Sequence, residues 1–277
     1  MYMNKLSNEK RSQIIRGLVE GNSISSLVRM TGIAKSTILR LILGFGAVCE
    51  AMHDERVKDL STVRVQMDEV WAFVGAKDKN ASDEKKLQGW GDAWTWTAID
   101  ADSKLILSWF IGPRDANSSW EIMKDVKSRL SDRVQLTTDG LNAYWNAAGH
   151  VFRGEVDFAQ LVKIYGAVLG EGTAGKYSPP QCIGIEIKVR EGDPDPKHIS
   201  TSFVERHNLT LRMGMRRYTR LTNGHSKKFE NHLAMTSIFM TCYNFCRVHQ
   251  TLRVTPAMEA GLTDHVWEVE EILCLMD

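Results

Sequence analysis

The sequence predicts an α/β chain in which a mixed five-stranded sheet flanked by helices follows a small all-α unit. A change of periodicity carries this reading. Apolar residues in the first fifty positions recur at helical spacing, whereas from Thr62 onward Val63, Val65, Met67 and Val70 mark a period of two. The order of elements that follows is three strand patterns, a helix, a short strand, then helix and strand in alternation, which suits one layered α/β domain.

In the first fifty residues three short helices are separated by turn signals. Ser7 suits the cap of a helix with Ile14, Ile15 and Leu18 inward, and Gly21-Asn22 ends it. Ser23 opens a second helix with Ile24, Leu27 and Val28 inward, Thr31-Gly32 makes a tight turn, and a third begins at Lys35. This is a helix-turn-helix pattern over residues 1–48, closed by Gly44 and Gly46. Its last helix would lie in a DNA major groove and offer Lys35, Ser36, Thr37 and Arg40 to phosphates or base edges. Residues 49–62 then serve as a linker.

The first strand carries Asp68-Glu69 and continues through Trp71-Ala72-Phe73-Val74, and residues 94–100 and 104–110 complete a meander. Ser118 to Leu130 has helical spacing, Val134 to Thr138 is a short strand ending at Asp139-Gly140, and a helix runs from Leu141 to Ala148. Residues 158–165 supply a fifth strand. Residues 166–200, rich in glycine, proline and charge, are expected as an insertion. Ser200 or Ser202 caps a helix bearing Glu205, and Lys227 to Val248 forms a further helix. This is the order of a ribonuclease H-like domain, here over residues 63–250, followed by a C-terminal acidic tail at 251–277.

The 277 residues are 43% hydrophobic and 25% charged, ordinary values for a soluble globular protein. Apolar runs such as Ile38 to Val48 are too short to span a bilayer, and no signal segment opens the chain, so no membrane association and a cytoplasmic location are expected. Cys49, Cys182, Cys242, Cys246 and Cys274 are odd in number and form no CxxC pair, which points to reduced thiols rather than a disulfide framework or zinc site. A formal net charge of +1 hides an uneven distribution. Residues 1–48 hold seven basic and two acidic side chains, and residues 203–228 hold seven basic ones against Glu205 alone. Arg216, Arg217, Arg220 and Lys227 in the second segment are candidate DNA contacts.

Moving a phosphodiester bond requires charge neutralisation at the entering and leaving oxygens, which two magnesium ions about 4 Å apart perform well, and magnesium takes oxygen ligands. A carboxylate inside a first strand, one at the tip of a neighbouring strand and one on a helix packed against the sheet can converge. Asp68, Asp139 and Glu205 hold those places. Asp68 is the most informative, because an acid within an apolar strand is costly to bury without a partner or cation. Asp157 and Asp195 are alternatives for the second position.

Several stretches together resemble transposases of the insertion-sequence-one type within the DDE group. They are Gln66-Met67-Asp68-Glu69-Val70-Trp71, Trp94 to Asp100, Thr138-Asp139-Gly140, Phe203 to Arg212, Arg217 to Gly224, and Tyr243 to Leu252 with Thr255-Pro256-Ala257. The resemblance implies a metal-bound triad at Asp68, Asp139 and Glu205 with two Mg2+, for which Mn2+ substitutes. It also implies nicking at element ends, strand transfer into target DNA, and a homo-oligomer in the synaptic complex. Arg212, seven residues after Glu205 on the same helix face, resembles the basic residue that such enzymes place near the scissile phosphate, and Asn208 competes for that role. For His207 and His249, packing or a backbone hydrogen bond is expected. Two other readings use the same residues: a domesticated regulator that binds DNA without chemistry, and a ribonuclease H-like nuclease.

Overall fold

The structure, a computed structural model, describes residues 6–166, 181–220 and 222–276. Three helices open the chain, α1 (Asn8–Val19), α2 (Ile24–Thr31) and α3 (Lys35–Arg56). Ser7 and Ser23 cap the first two by accepting from Lys10 N and Ser26 N, and Gly32 ends the second at φ 70°, where a side chain would be strained.

The third helix departs from expectation. It does not stop at Gly44 and Gly46 but continues to Arg56, so most of the expected linker is helical. Gly46 is there for packing. A Cβ at this position would lie 2.6 to 2.7 Å from atoms of Ala234, so the glycine lets α3 approach a later helix at backbone distance. At 22 residues α3 is long and apolar enough to cross a membrane by length and composition, contrary to the estimate from apolar runs, and its Ile38, Ile42, Phe45, Cys49 and Met52 are buried in the fold.

Six strands follow: β1 (Arg64–Val74), β2 (Gly91–Asp100), β3 (Ile106–Gly112), β4 (Val134–Thr138), β5 (Val156–Tyr165) and β6 (Cys182–Glu191). Between and after them run α4 (Asp83–Leu87), α5 (Ala116–Arg129), α6 (Asn142–Phe152), α7 (Ser202–Gly214), α8 (Phe229–Phe245), α9 (Pro256–Glu259) and α10 (Val269–Cys274). The strand order is β3-β2-β1-β4-β5-β6. β1 and β2 pair antiparallel with Asp68 opposite Thr97, β1 and β4 pair parallel, β4 and β5 pair parallel, and β5 and β6 pair antiparallel. Among the described residues the sheet therefore has six strands rather than five. The sixth comes from the segment expected as an insertion, where Ile183, Ile185, Ile187 and Val189 carry a period of two. The remaining residues of that segment from 167 to 180 lie outside the described residues.

One apolar core joins the N-terminal helices to the sheet. Ile14, Ile15, Ile38 and Phe45 are buried in the same cluster as Met67, Trp96, Tyr144, Ile238 and Phe239. The acidic C-terminal segment also folds, contrary to the expected tail. Val269, Ile272 and Leu273 are buried, while Glu268 and Glu270 take Arg16 of α1 at 2.5 and 2.8 Å and Ser12 donates to Glu270 at 2.6 Å. Part of the basic charge of the first helix is thus answered within the chain.

Candidate metal and DNA site

The site begins with Gln66. Its side-chain Oε1 accepts from the backbone N–H of Phe203 at 2.9 Å and of Val204 at 3.2 Å, donors that the first turn of a helix leaves unpaired. Ser200 Oγ accepts from Ser202 N at 3.1 Å, so the serine expected as a cap shares that task with a glutamine from a distant strand. Two residues along β1 on the same face is Asp68, whose Oδ2 accepts from Asn208 Nδ2 of α7 at 2.8 Å. Gln66 and Asn208 together set α7 against β1, and this brings Glu205 toward Asp68.

Asp139 follows β4 directly, and its Oδ1 accepts from Leu141 N at 2.9 Å, a local turn bond. Gln160 Nε2 of β5 holds the carbonyls of Asp139 and Leu141 at 2.9 and 3.0 Å. Asp68, Asp139 and Glu205 line one cleft together with Arg114, Lys163 and Thr201. The alternatives are elsewhere: Asp157 pairs with Arg133 at 2.7 Å, and Asp195 accepts from Lys197 N.

The cleft is electrostatically unbalanced. Burial, reinforced by Glu69, Asp139 and Glu205, pushes Asp68 up to about 7. Burial also raises Asp139 and Glu69 above the usual carboxylate range. Carboxylate oxygens of Asp68, Glu69 and Asp139 lie within 4.8 Å of one another. Glu205 belongs to the same cleft but is held by Lys163, whose Nζ lies 2.5 and 2.6 Å from its two oxygens, and Thr201 Oγ1 donates to it at 2.6 Å. The oxygens of Asp68, Glu69 and Asp139, an all-oxygen set crowded enough to raise its own acids, could hold a hard divalent cation.

Sequence reasoning passed over several of these groups. Glu69 has its side chain only 2% exposed, and its two oxygens accept from Arg114 Nε at 2.6 Å and Tyr144 OH at 2.9 Å. Arg114 also stands 3.8 Å from Asp139. The doublet Asp68-Glu69 was a visible signal. Arg114, Tyr144 and Lys163 carried none, since each reaches the site from an otherwise unmarked stretch. Arg212 is half-buried on α7, its Nε has no hydrogen-bond partner among the described residues, and its pKa is lowered by burial and by Arg220 while Asp68 opposes this. His207 is buried with its ring 4.7 Å from that of Tyr243, the packing role expected for it.

The two basic segments meet. Lys35 at the start of α3 lines a second cleft with Ser23, Arg216, Arg217, Lys227 and Lys228. Ser36, Arg40 and Arg220 are exposed and Thr37 is partly so, none of them lining that cleft. Arg217 differs from its neighbours. Its guanidinium is largely enclosed and donates to Ser226 Oγ at 3.1 Å, and burial brings its pKa down to about 10.

The sequence matches no family model and no curated protein. Among solved structures the chain is similar to the piggyBac transposase synaptic complex with hairpin DNA, at 10% identity over 98% of this chain and 71% of that one, with a TM-score of 0.41. It is also similar to the Mos1 transposase paired-end complex with left transposon end, at 11% identity over 57% and 60% of the two chains and a TM-score of 0.26. The Mos1 strand transfer complex gives 10% identity, 57% and 59% coverage and a TM-score of 0.25. The chain thus spans about three fifths of the Mos1 chains, and likenesses this distant do not bear on what it does.

Proposed function

We propose that this chain is a DNA transposase of the insertion-sequence-one type with a ribonuclease H-like catalytic domain, which binds element ends and carries out metal-dependent strand cleavage and strand transfer. The observation behind this reading is the convergence of Asp68 from β1, Asp139 from the end of β4 and Glu205 from α7 on one cleft. Two magnesium ions held by these carboxylates, with manganese as a substitute, would supply charge neutralisation at the attacking and leaving oxygens.

The chain's own groups do the rest. Asn208 donates to one carboxylate oxygen of Asp68, and Gln66 anchors the helix that carries Glu205. Arg114 and Tyr144 hold Glu69 behind the cleft, so the acidic character of the site is kept without a freely moving side chain. Lys163 pairs with Glu205 and is assigned to a phosphate of the DNA. Arg212, whose Nε has no hydrogen-bond partner among the described residues, is assigned to the backbone of the reacting strand. Lys35, Ser36, Thr37 and Arg40 are assigned with Arg216, Arg220 and Lys227 to the surrounding duplex.

Incubating the purified chain with DNA carrying the borders of its own gene tests this reading. Magnesium- or manganese-dependent nicks at those borders are the expected result. Specific binding without any cutting would favour the regulator, and preferential cleavage of RNA·DNA hybrids would favour the nuclease.

A further inference from the structure

β6 closes the sheet at one edge, and among the described residues no strand pairs with its outer side. Ten residues long, it contains no proline, and Ile183, Ile185, Ile187 and Val189 point to one face at 66%, 59%, 47% and 58% exposure. A long edge strand with an exposed apolar row is a template for another strand. Its opposite face carries Glu186 and Lys188, also outside the core.

We infer that β6 pairs antiparallel with β6 of a second copy of this chain, about a two-fold axis at Ile187. Charge selects this register. With Ile187 opposite its own copy, Ile185 meets Val189, and Glu186 of each chain faces Lys188 of the other. Moving the axis to residue 186 would set Glu186 against Glu186, and moving it to 188 would set Lys188 against Lys188. Both are unfavourable. A shift by an odd number of residues would put the apolar row against the charged one. Of the two-fold registers along this strand, the one about Ile187 is the one that sets Glu186 opposite Lys188, and the contact it makes is isologous.

The pairing has a consequence for the site. Ile185 is the cross-strand partner of Lys163 and Ile187 that of Leu161, and both partners line the acidic cleft. The apolar row of β6 therefore lies on the cleft side of the sheet. A two-fold axis between antiparallel strands stands perpendicular to the sheet, so it joins two six-stranded sheets into one of twelve with both clefts opening on the same side. For a chain acting as proposed above this sets two DNA ends before one continuous surface. The pairing itself does not depend on that reading.

Sedimentation of the full chain without DNA or metal tests the inference. The unaltered chain is expected at about twice 31.3 kDa at micromolar concentration. Glu186→Lys and Lys188→Glu each set like charges together twice per dimer and should weaken association by roughly tenfold or more. Mixed in equal amounts, the two variants restore opposite charges across the axis and should recover a dimer. Recovery on mixing also shows that each variant is folded. Ile187→Lys should give a monomer. A monomeric unaltered chain would overturn the inference. Single charge variants that dimerise as tightly as the parent would overturn it equally. Neither result bears on DNA cleavage.

Discussion

Asn208 Nδ2 on α7 donates to Asp68 Oδ2 on β1 at 2.8 Å, joining the helix that bears one candidate ligand to the strand that bears another. The Oδ1 of Asn208 is buried with no hydrogen-bond partner among the described residues, so the bond to Asp68 is the one this amide makes there. Asn208→Ala should therefore leave Asp68 free to rotate. Metal affinity is expected to fall by about tenfold, within the range for groups that orient a ligand. Titration calorimetry with manganese reads this, and an unchanged affinity would show that Asn208 does not position Asp68.

The raised pKa of Asp68 gives a pH dependence with a definite sign. Its folded value of about 7 lies above the ordinary 3.8, so the folded chain binds a proton more tightly than the unfolded one. The associated stability is fully present below pH 3.8 and is lost as pH rises through about 7. Without metal, Asp68→Asn should stabilise the chain at pH 8 by on the order of 2 kcal/mol and flatten the pH dependence. Urea unfolding at pH 5 and pH 8 measures both. Metal binding should run the other way, weakening as pH falls through 7, because a ligand must lose its proton.

Glu69 rests on Arg114 and Tyr144, and removing one partner leaves a carboxylate with its side chain 2% exposed short of a bond. Arg114→Gln is expected to cost about 1–3 kcal/mol of stability. Adding Glu69→Gln should return much of that loss. A double-mutant cycle by chemical denaturation checks the coupling, and additive losses would refute it.

Not all basic residues should behave alike. Lys35→Ala and Arg216→Ala remove exposed charges beside one cleft, and each should lower DNA affinity and reduce the salt slope by about one. Arg217→Ala should instead lower the unfolding midpoint, because that guanidinium is enclosed and donates to Ser226. Binding measured across a salt series, with unfolding curves for the same variants, separates the two behaviours.

Much of the site could be read before the structure because its chemistry is costly. An aspartate within an apolar strand is unexpected unless it has a use, and Asp68 proved to be surrounded by other carboxylates. The helix starts were legible from Ser7 and Ser23, whose local capping needs no distant partner. The cap of α7 was not, because Gln66 reaches it across more than 130 residues of sequence. Gly46 was misread for a similar reason. A glycine that ends a helix and one that admits another helix look the same in one dimension, and only the approach of Ala234 distinguishes them. The strand β6 was hidden by its surroundings, since the glycine- and proline-rich residues before it set the composition of the whole segment.

The central claim concerns the three carboxylates, and DNA strand joining tests it most directly. Asp68→Asn, Asp139→Asn and Glu205→Gln keep the size of each side chain while removing its charge. With magnesium and DNA bearing the borders of the gene, the unaltered chain should nick and join strands. Each variant should lose at least about a thousandfold in rate, as expected when charge stabilisation at the reacting phosphate is removed, yet still bind the DNA. Joining that persists in any of the three, or that proceeds without a divalent cation, would contradict the account.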